Sequence, residues 1–265
     1  MICRMLGADY KALAFADNSV SKQGGSLLGL PVLSLKNALE LCPRTVILCV
    51  TDAERSMQMR LQLEAEGFDG ELITAESLRV FDARAAALRM LAEQISAQGI
   101  EGDAAELGVY RGDFARLISE AFPDRTLHLF DTFEGFSASD LAAERGYSRA
   151  AEGDFSDTDT ELVRNRLHEP GRAVFYKGLF PDTFAACRAE RFAFVSVDAD
   201  LYKPTAAALP LFWDRLSPGG VLLLHDVNSL QFRGVSEAVR EFCNEKNILP
   251  MPICDLHGSV VLRKL

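Results

Sequence analysis

Cysteine pairs, basic runs and long apolar stretches are all missing from this sequence, and each absence removes a class of function. The six cysteines (Cys3, Cys42, Cys49, Cys187, Cys243, Cys254) are scattered and none forms a CxxC pair, so zinc-finger and disulfide-framework readings fall away. Most stand in apolar helix or strand contexts and are expected as small buried hydrophobes in a reducing cytoplasm. No basic patch interrupts a chain whose formal net charge is −10, which argues against nucleic acid and anionic membranes as partners. No apolar run approaches the roughly 20 residues of a membrane helix, and residues 1–7 do not read as a signal peptide. What remains is an ordinary globular composition over 265 residues, enough for one large α/β domain or a full domain plus a small one.

The most informative stretch is residues 192–202, FAFVSVDADLY. A continuous apolar run without alternation suits a strand buried on both faces of a parallel sheet. Asp198 and Asp200 then fall just beyond its carboxyl end, where ligands bind in such sheets. Those two acids can equally be the solvated end of a plain strand. Residues 217–226, SPGGVLLLHD, repeat the pattern and end in His225 and Asp226. On neighbouring parallel strands, Asp198, Asp200, His225 and Asp226 would share one edge. Carboxylates gathered in one crevice repel each other unless a cation sits among them. The pattern therefore points to a metal site.

Taken in order, residues 1–76 form a self-contained pattern of short strands at 12–16, 46–50 and 71–74, with helices at 35–41 and 53–66 and Gly67 as a C-cap. It resembles the small Rossmann-like domains attached to sugar-modifying enzymes. The strand and Gly-x-Gly turn that open such domains are not found here, so a structural or docking role is expected ahead of cofactor binding. Residues 77–98 carry Leu88, Leu91, Ala92 and Ile95 at helical spacing, and residues 77–100 read as a connecting helix with its stop. From 101 to 265, strands and helices alternate. Asp113 is expected to cap a helix, as is Ser156 or Asp157. Residues 134–155 are polar and aperiodic, as in a lid, and Pro210 is expected to kink its helix. The chain closes on a hairpin around His257 and Gly258 that supplies an antiparallel edge.

Glu106-x-Gly108-x-x-x-Gly112 follows a strand and opens a helix, so backbone can approach a ligand at Gly108. This is not the dinucleotide G-x-G-x-x-G spacing, and alone it also fits a plain strand–turn–helix. Asp131 ends the next strand, where a carboxylate takes ribose hydroxyls in this fold class. Together they favour a nucleoside-containing cofactor. Phe133, Phe136 and Phe155 either stack on its base or anchor the loop to the core.

The runs ELGVYRGDF, LFDTFEGF, EGDFSDT, KGLFPDTF, VSVDADLYKPT and SPGGVLLLHD together resemble the macrocin O-methyltransferase family over about residues 101–242. The resemblance implies an α/β fold with the mostly parallel, seven-stranded sheet of class I methyltransferases. It implies S-adenosylmethionine and a divalent metal as cofactors, and a sugar or natural-product hydroxyl as acceptor. By position, Glu106, Gly108 and Tyr110 would belong to the cofactor turn, and Asp131, Thr132 and Phe133 to the ribose side. Asp154, Phe155 and Gly178 would lie near the cofactor. Asp198 and Asp226 match metal ligands, and Asp200 matches the general base. The family usually carries two adjacent aspartates where this chain has His225 and Asp226. His225 then either ligates, drawing the site from magnesium toward manganese or another borderline ion, or stands behind the ligands. A non-catalytic nucleoside-binding module in a sugar-biosynthesis assembly is the alternative, but it has no need of the acid cluster. Homo-oligomer formation is left open.

Overall fold

The computed structural model describes residues 11–50, 52–74, 83–144, 150–229, 231–255 and 258–265. The expectations for residues 1–7, for the start of the connecting helix at 77–82, for 145–149 of the polar segment and for His257 lie outside them. The chain forms two compact units, Met1–Phe81 and Asp82–Leu265. Among the described residues no helix is long and apolar enough to cross a membrane.

The first unit holds two small sheets. Strand β1 (Phe15–Ala16) pairs in parallel with β3 (Leu30–Leu33), and β2 (Ser26–Leu27) pairs antiparallel with β3. Helix α1 (Leu35–Leu39) follows, started by Ser34, whose side chain accepts from the Asn37 N–H. Strands β4 (Thr45–Ile47) and β5 (Glu71–Ile73) pair in parallel across helix α2 (Ala53–Ala65). Asp52 starts that helix by accepting from the Arg55 N–H at 2.8 Å, and Gly67 leaves it at φ +76°, the left-handed exit that glycine takes without a Cβ penalty.

The second unit opens on helix α3 (Ala83–Ala97), whose Leu88, Ala92 and Ile95 pack into the core. Five parallel strands follow: β6 (Asp103–Leu107), β7 (Leu127–Asp131), β8 (Ala173–Lys177), β9 (Phe192–Val197) and β10 (Leu216–Leu224). With β11 (Met251–Pro252) and β12 (Val260–Arg263) they make one seven-stranded sheet in the order β11-β12-β10-β9-β6-β7-β8. β12 runs antiparallel to β10, and β11 antiparallel to β12, which is the terminal hairpin read from the sequence. All six residues of β9 are buried, as a central strand covered on both faces requires.

Helices line both faces. One side packs α4 (Asp113–Ala121) with α3, through Ala115 and Ile118, against Leu129, Phe194 and Leu223. The other packs α7 (Tyr202–Arg215) and α8 (Arg233–Lys246), through Phe212, Val239 and Phe242, against Phe130, Val195 and Leu222. Between β7 and β8 lie the short helices α5 (Ala138–Leu141) and α6 (Thr160–Arg164).

Three local expectations are corrected. Gly112, at φ +79°, occupies the cap position of α4 without a side-chain bond, while Asp113 instead accepts from Arg166 at 2.9 Å. Helix α6 starts at Asp159, whose carboxylate accepts from the N–H groups of Glu161 and Leu162. Asp157 is drawn off to Tyr110. Of the described cysteines, only Cys187 and Cys243 are buried; Cys42, Cys49 and Cys254 are exposed thiols.

Candidate active site

The carboxyl ends of β6, β7, β8, β9 and β10 border one crevice of about 500 Å³. Gly108 makes its floor possible. A Cβ there would lie 1.9 Å from the Asp198 carbonyl oxygen, and its φ is +82°, so no side chain fits and the turn lies against the end of β9. The turn is pinned from the next strand. Asp131 Oδ2 accepts from the N–H groups of Val109 at 2.6 Å and Tyr110 at 2.9 Å, and Oδ1 accepts from the Phe133 N–H at 2.7 Å. Asp131 thus clamps two turns together while still lining the crevice. The Thr132 hydroxyl donates to the Gly135 carbonyl at 2.7 Å.

Tyr110 donates its hydroxyl to Asp157 at 2.6 Å and meets Phe155 edge-to-face at 5.1 Å. Phe155 in turn meets Phe136 at 5.2 Å. These three rings, with Gly178 and Phe180, line one part of the crevice. Ser137 and Asp140 line another, and Lys203 holds Asp140 at 2.7 Å. Asp140, in the polar segment, is thereby tied to α7.

The acids converge on the other side. Asp198 presents Oδ1 to His225 Nδ1 at 2.8 Å, and that nitrogen lies 3.2 Å from Asp226 Oδ2. Asp198, His225 and Asp226 offer donor atoms within 4.8 Å of one another. Asp200 and Asp226 both take left-handed backbone, at φ +58° and +55°. That conformation is uncommon for non-glycine residues and characteristic of functional turns. Burial, then the charges of Asp198 and Asp226, push the Asp200 carboxyl well above its ordinary pKa. Burial works against charge on His225, but Asp198 and Asp226 lift the imidazole to about 9. Asp198 is held below the carboxylate range, burial being outweighed by Arg84 and His225.

Arg84, on α3, is the residue that sequence reasoning missed. It is 9% exposed, bonds Asp198 Oδ2 at 2.7 Å and Ser196 Oγ at 3.0 Å, and stacks over Phe114 with its guanidinium carbon 3.8 Å from the ring centre. A cation does sit among the carboxylates, and the chain itself supplies it. A signal for it exists: Arg84 shares the stripe of Leu88, Ala92 and Ile95, and a charge on an apolar stripe needs a buried partner.

Phe136 and eleven of the thirteen residues matched to the site by position line this crevice: Glu106, Gly108, Tyr110, Asp131, Thr132, Phe155, Gly178, Asp198, Asp200, His225 and Asp226. Two do not. Phe133 is 3% exposed and packs its ring into the core beside Phe175, because its left-handed backbone, φ +52°, sends the side chain inward. Asp154 turns its carboxylate onto the Ala151 N–H at 2.8 Å.

The crevice also fits a sulfonium amino-acid cofactor on its own chemistry. Glu106 is 1% exposed, lines the crevice, and its Oε2 has no hydrogen-bond partner among the described residues. Burial raises its pKa well above normal. An ammonium group brought alongside would satisfy that oxygen.

A parallel sheet closed by an antiparallel hairpin, with its ligand crevice at the strand ends, defines a class I methyltransferase. The family profile described as Macrocin-O-methyltransferase (TylF) matches residues 53–264, and the chain belongs to that family. It is an S-adenosylmethionine-dependent O-methyltransferase. The 8-demethyl-8-(2,3-dimethoxy-alpha-L-rhamnosyl)-tetracenomycin-C 4'-O-methyltransferase of Streptomyces olivaceus is 32% identical over 186 residues, covering 66% of this chain and 70% of that one. The Mycinamicin III 3''-O-methyltransferase of Micromonospora griseorubida is 31% identical over 175 residues, covering 61% and 68%. The solved O-methyltransferase NovP shares the fold, with a TM-score of 0.56 and 24% identity over 69% of this chain and 79% of that one.

Proposed function

We propose that this enzyme methylates a hydroxyl of a sugar carried by a natural product, with Asp200 as base and a divalent ion held by Asp198, Asp226 and His225. The observation that carries this reading is the meeting of the Gly108 turn and the acid cluster in one crevice. The two curated relatives, one of them named for a rhamnosyl substrate, support the acceptor class.

The chemistry follows from what each group lacks. S-adenosylmethionine supplies an electrophilic methyl, so the protein needs alignment and a base. An aliphatic hydroxyl is a poor nucleophile at neutral pH because so little of it is ionised. Asp200, which lines the crevice beside Asp198 and Asp226, is placed to take that proton during attack. A divalent ion, when bound, supplies Lewis-acid stabilisation of the charge developing on oxygen. Hard carboxylate oxygens suit magnesium, while the His225 nitrogen suits manganese or a similar borderline ion. Glu106 faces the cofactor's ammonium group, and Asp131 holds the turn on which the cofactor lies.

The test is mass spectrometry of reactions with S-adenosylmethionine and a panel of rhamnosides and other glycosides bearing free secondary hydroxyls. One added methyl on the sugar is expected. Methylation confined to phenols or other non-sugar positions would overturn the acceptor class.

A further inference from the structure

The acid cluster is balanced before any ion reaches it, because Arg84 is fixed in place. Its guanidinium is held from three sides, by Asp198, by the fully buried Ser196 and by the Phe114 ring. A guanidinium so bonded and stacked is a stationary charge rather than a swinging arm. It also takes one whole face of Asp198. Oδ2 is bonded to Arg84, so Oδ1 is the oxygen turned toward His225 and Asp226.

Resting on the metal reading above, we propose that Arg84 sets how tightly this site holds a divalent ion. It restricts Asp198 to one coordinating oxygen, and its fixed positive charge offsets part of the attraction that Asp198 and Asp226 exert. The ion is thereby weakly held and exchangeable, and the cluster keeps its arrangement when the ion leaves. Arg84 is a positioning and charge-setting residue; it does not touch the reacting atoms.

The test is calorimetric titration of the full-length protein with Mn²⁺ alone, together with the Mn²⁺-induced shift in melting temperature. Arg84→Met and Arg84→Gln remove the charge, and Arg84→Lys keeps it without the planar fork. Both neutral variants are expected to bind Mn²⁺ about tenfold more tightly or better, as removal of a nearby like charge requires. Their melting temperature should rise more on Mn²⁺ addition than that of the wild type. Arg84→Lys should stay within about threefold of the wild type, which a purely structural role would not produce. A neutral variant that folds only when Mn²⁺ is present would also support the proposal. Unchanged or weaker Mn²⁺ binding in both neutral variants, with clear binding by the wild type, would overturn the role of Arg84 and leave the metal site standing. No Mn²⁺ binding by any of the four proteins would overturn the metal reading and this proposal with it.

Discussion

Gly108 is where the geometry is least forgiving. Its missing Cβ would stand 1.9 Å from the carbonyl oxygen of Asp198, just past the end of β9, at a backbone angle that other residues rarely adopt. Gly108→Ala combines left-handed strain with a clash against main chain, and should cost about 3 kcal/mol or more. Denaturant titration checks this; a loss below about 1 kcal/mol would mean that the turn and β9 do not touch as described. Residues at strand ends were legible in the sequence because a parallel strand fixes where its last side chains point. Glu106, Asp198 and His225, in or next to their strands, reached the crevice for that reason, and Asp200 and Asp226 reached it from left-handed turns that strand direction does not fix. Phe133 and Asp154 did not, because a loop side chain's direction depends on a backbone angle that residue type does not specify. Arg84 was legible in part, because a charge on the apolar stripe of Leu88, Ala92 and Ile95 needs a buried partner.

At the scale of elements, α7 begins without a side-chain cap from its own sequence. Glu144, from the polar segment, accepts from the Tyr202 N–H instead, and lies 3% exposed against Gly234, where a Cβ would meet its carboxylate at 2.7 Å. Glu144→Ala should cost about 1–2 kcal/mol, the range for a lost helix cap, and thermal melts read it. Glu144→Gln, which keeps the packing and one acceptor oxygen, should lose less; losses equal to those of Glu144→Ala would show that the cap depends on the carboxylate's charge. A cap supplied from a distant segment leaves no local sequence signature. Helix α6 shows the opposite case, in which the run of acids and threonines at 157–160 offered several caps and tertiary bonding to Tyr110 took one of them away.

Strands β6, β7 and β8 are cross-linked by a buried polar chain away from the crevice. His128 places Nε2 at 2.9 Å from Asp103 and Nδ1 at 3.0 Å from the Tyr176 hydroxyl, with Cys187 Sγ at 3.7 Å. Burial opposes its charged form, but Asp103 and then Cys187 lift its pKa from 6.5 to about 9. A folded pKa above the unfolded one gives stability that is fully present below about pH 6.5 and is lost as pH rises through about 9. The denaturation midpoint should therefore fall between pH 7 and pH 10, and His128→Gln should flatten that fall. An equal slope in both proteins would show that another group titrates.

For the whole molecule, strand–helix alternation and two largely apolar strands were enough to anticipate a parallel sheet covered on both faces, because a strand buried on both faces has few architectures open to it; the number of strands, seven, came from the resemblance to the macrocin O-methyltransferase family. Of the short strands of the first unit, those at 12–16, 46–50 and 71–74 were drawn too long and β2 and β3 were not anticipated, since pairs of two to four residues leave little pattern to read. The stripe position of Arg84 signalled a buried partner but not which one, since Asp198 lies more than a hundred residues away in sequence. The most direct measurement is transfer of a ¹³C-labelled methyl from S-adenosylmethionine to a rhamnoside, followed by NMR in the wild type and Asp200→Asn. With Asp200 as base, the label should appear on a sugar oxygen in the wild type. In Asp200→Asn the rate should fall by about 10²–10⁴-fold while cofactor binding persists. Transfer at an undiminished rate in Asp200→Asn would contradict the assignment of the base and, with it, the reading of the acid cluster as the catalytic centre.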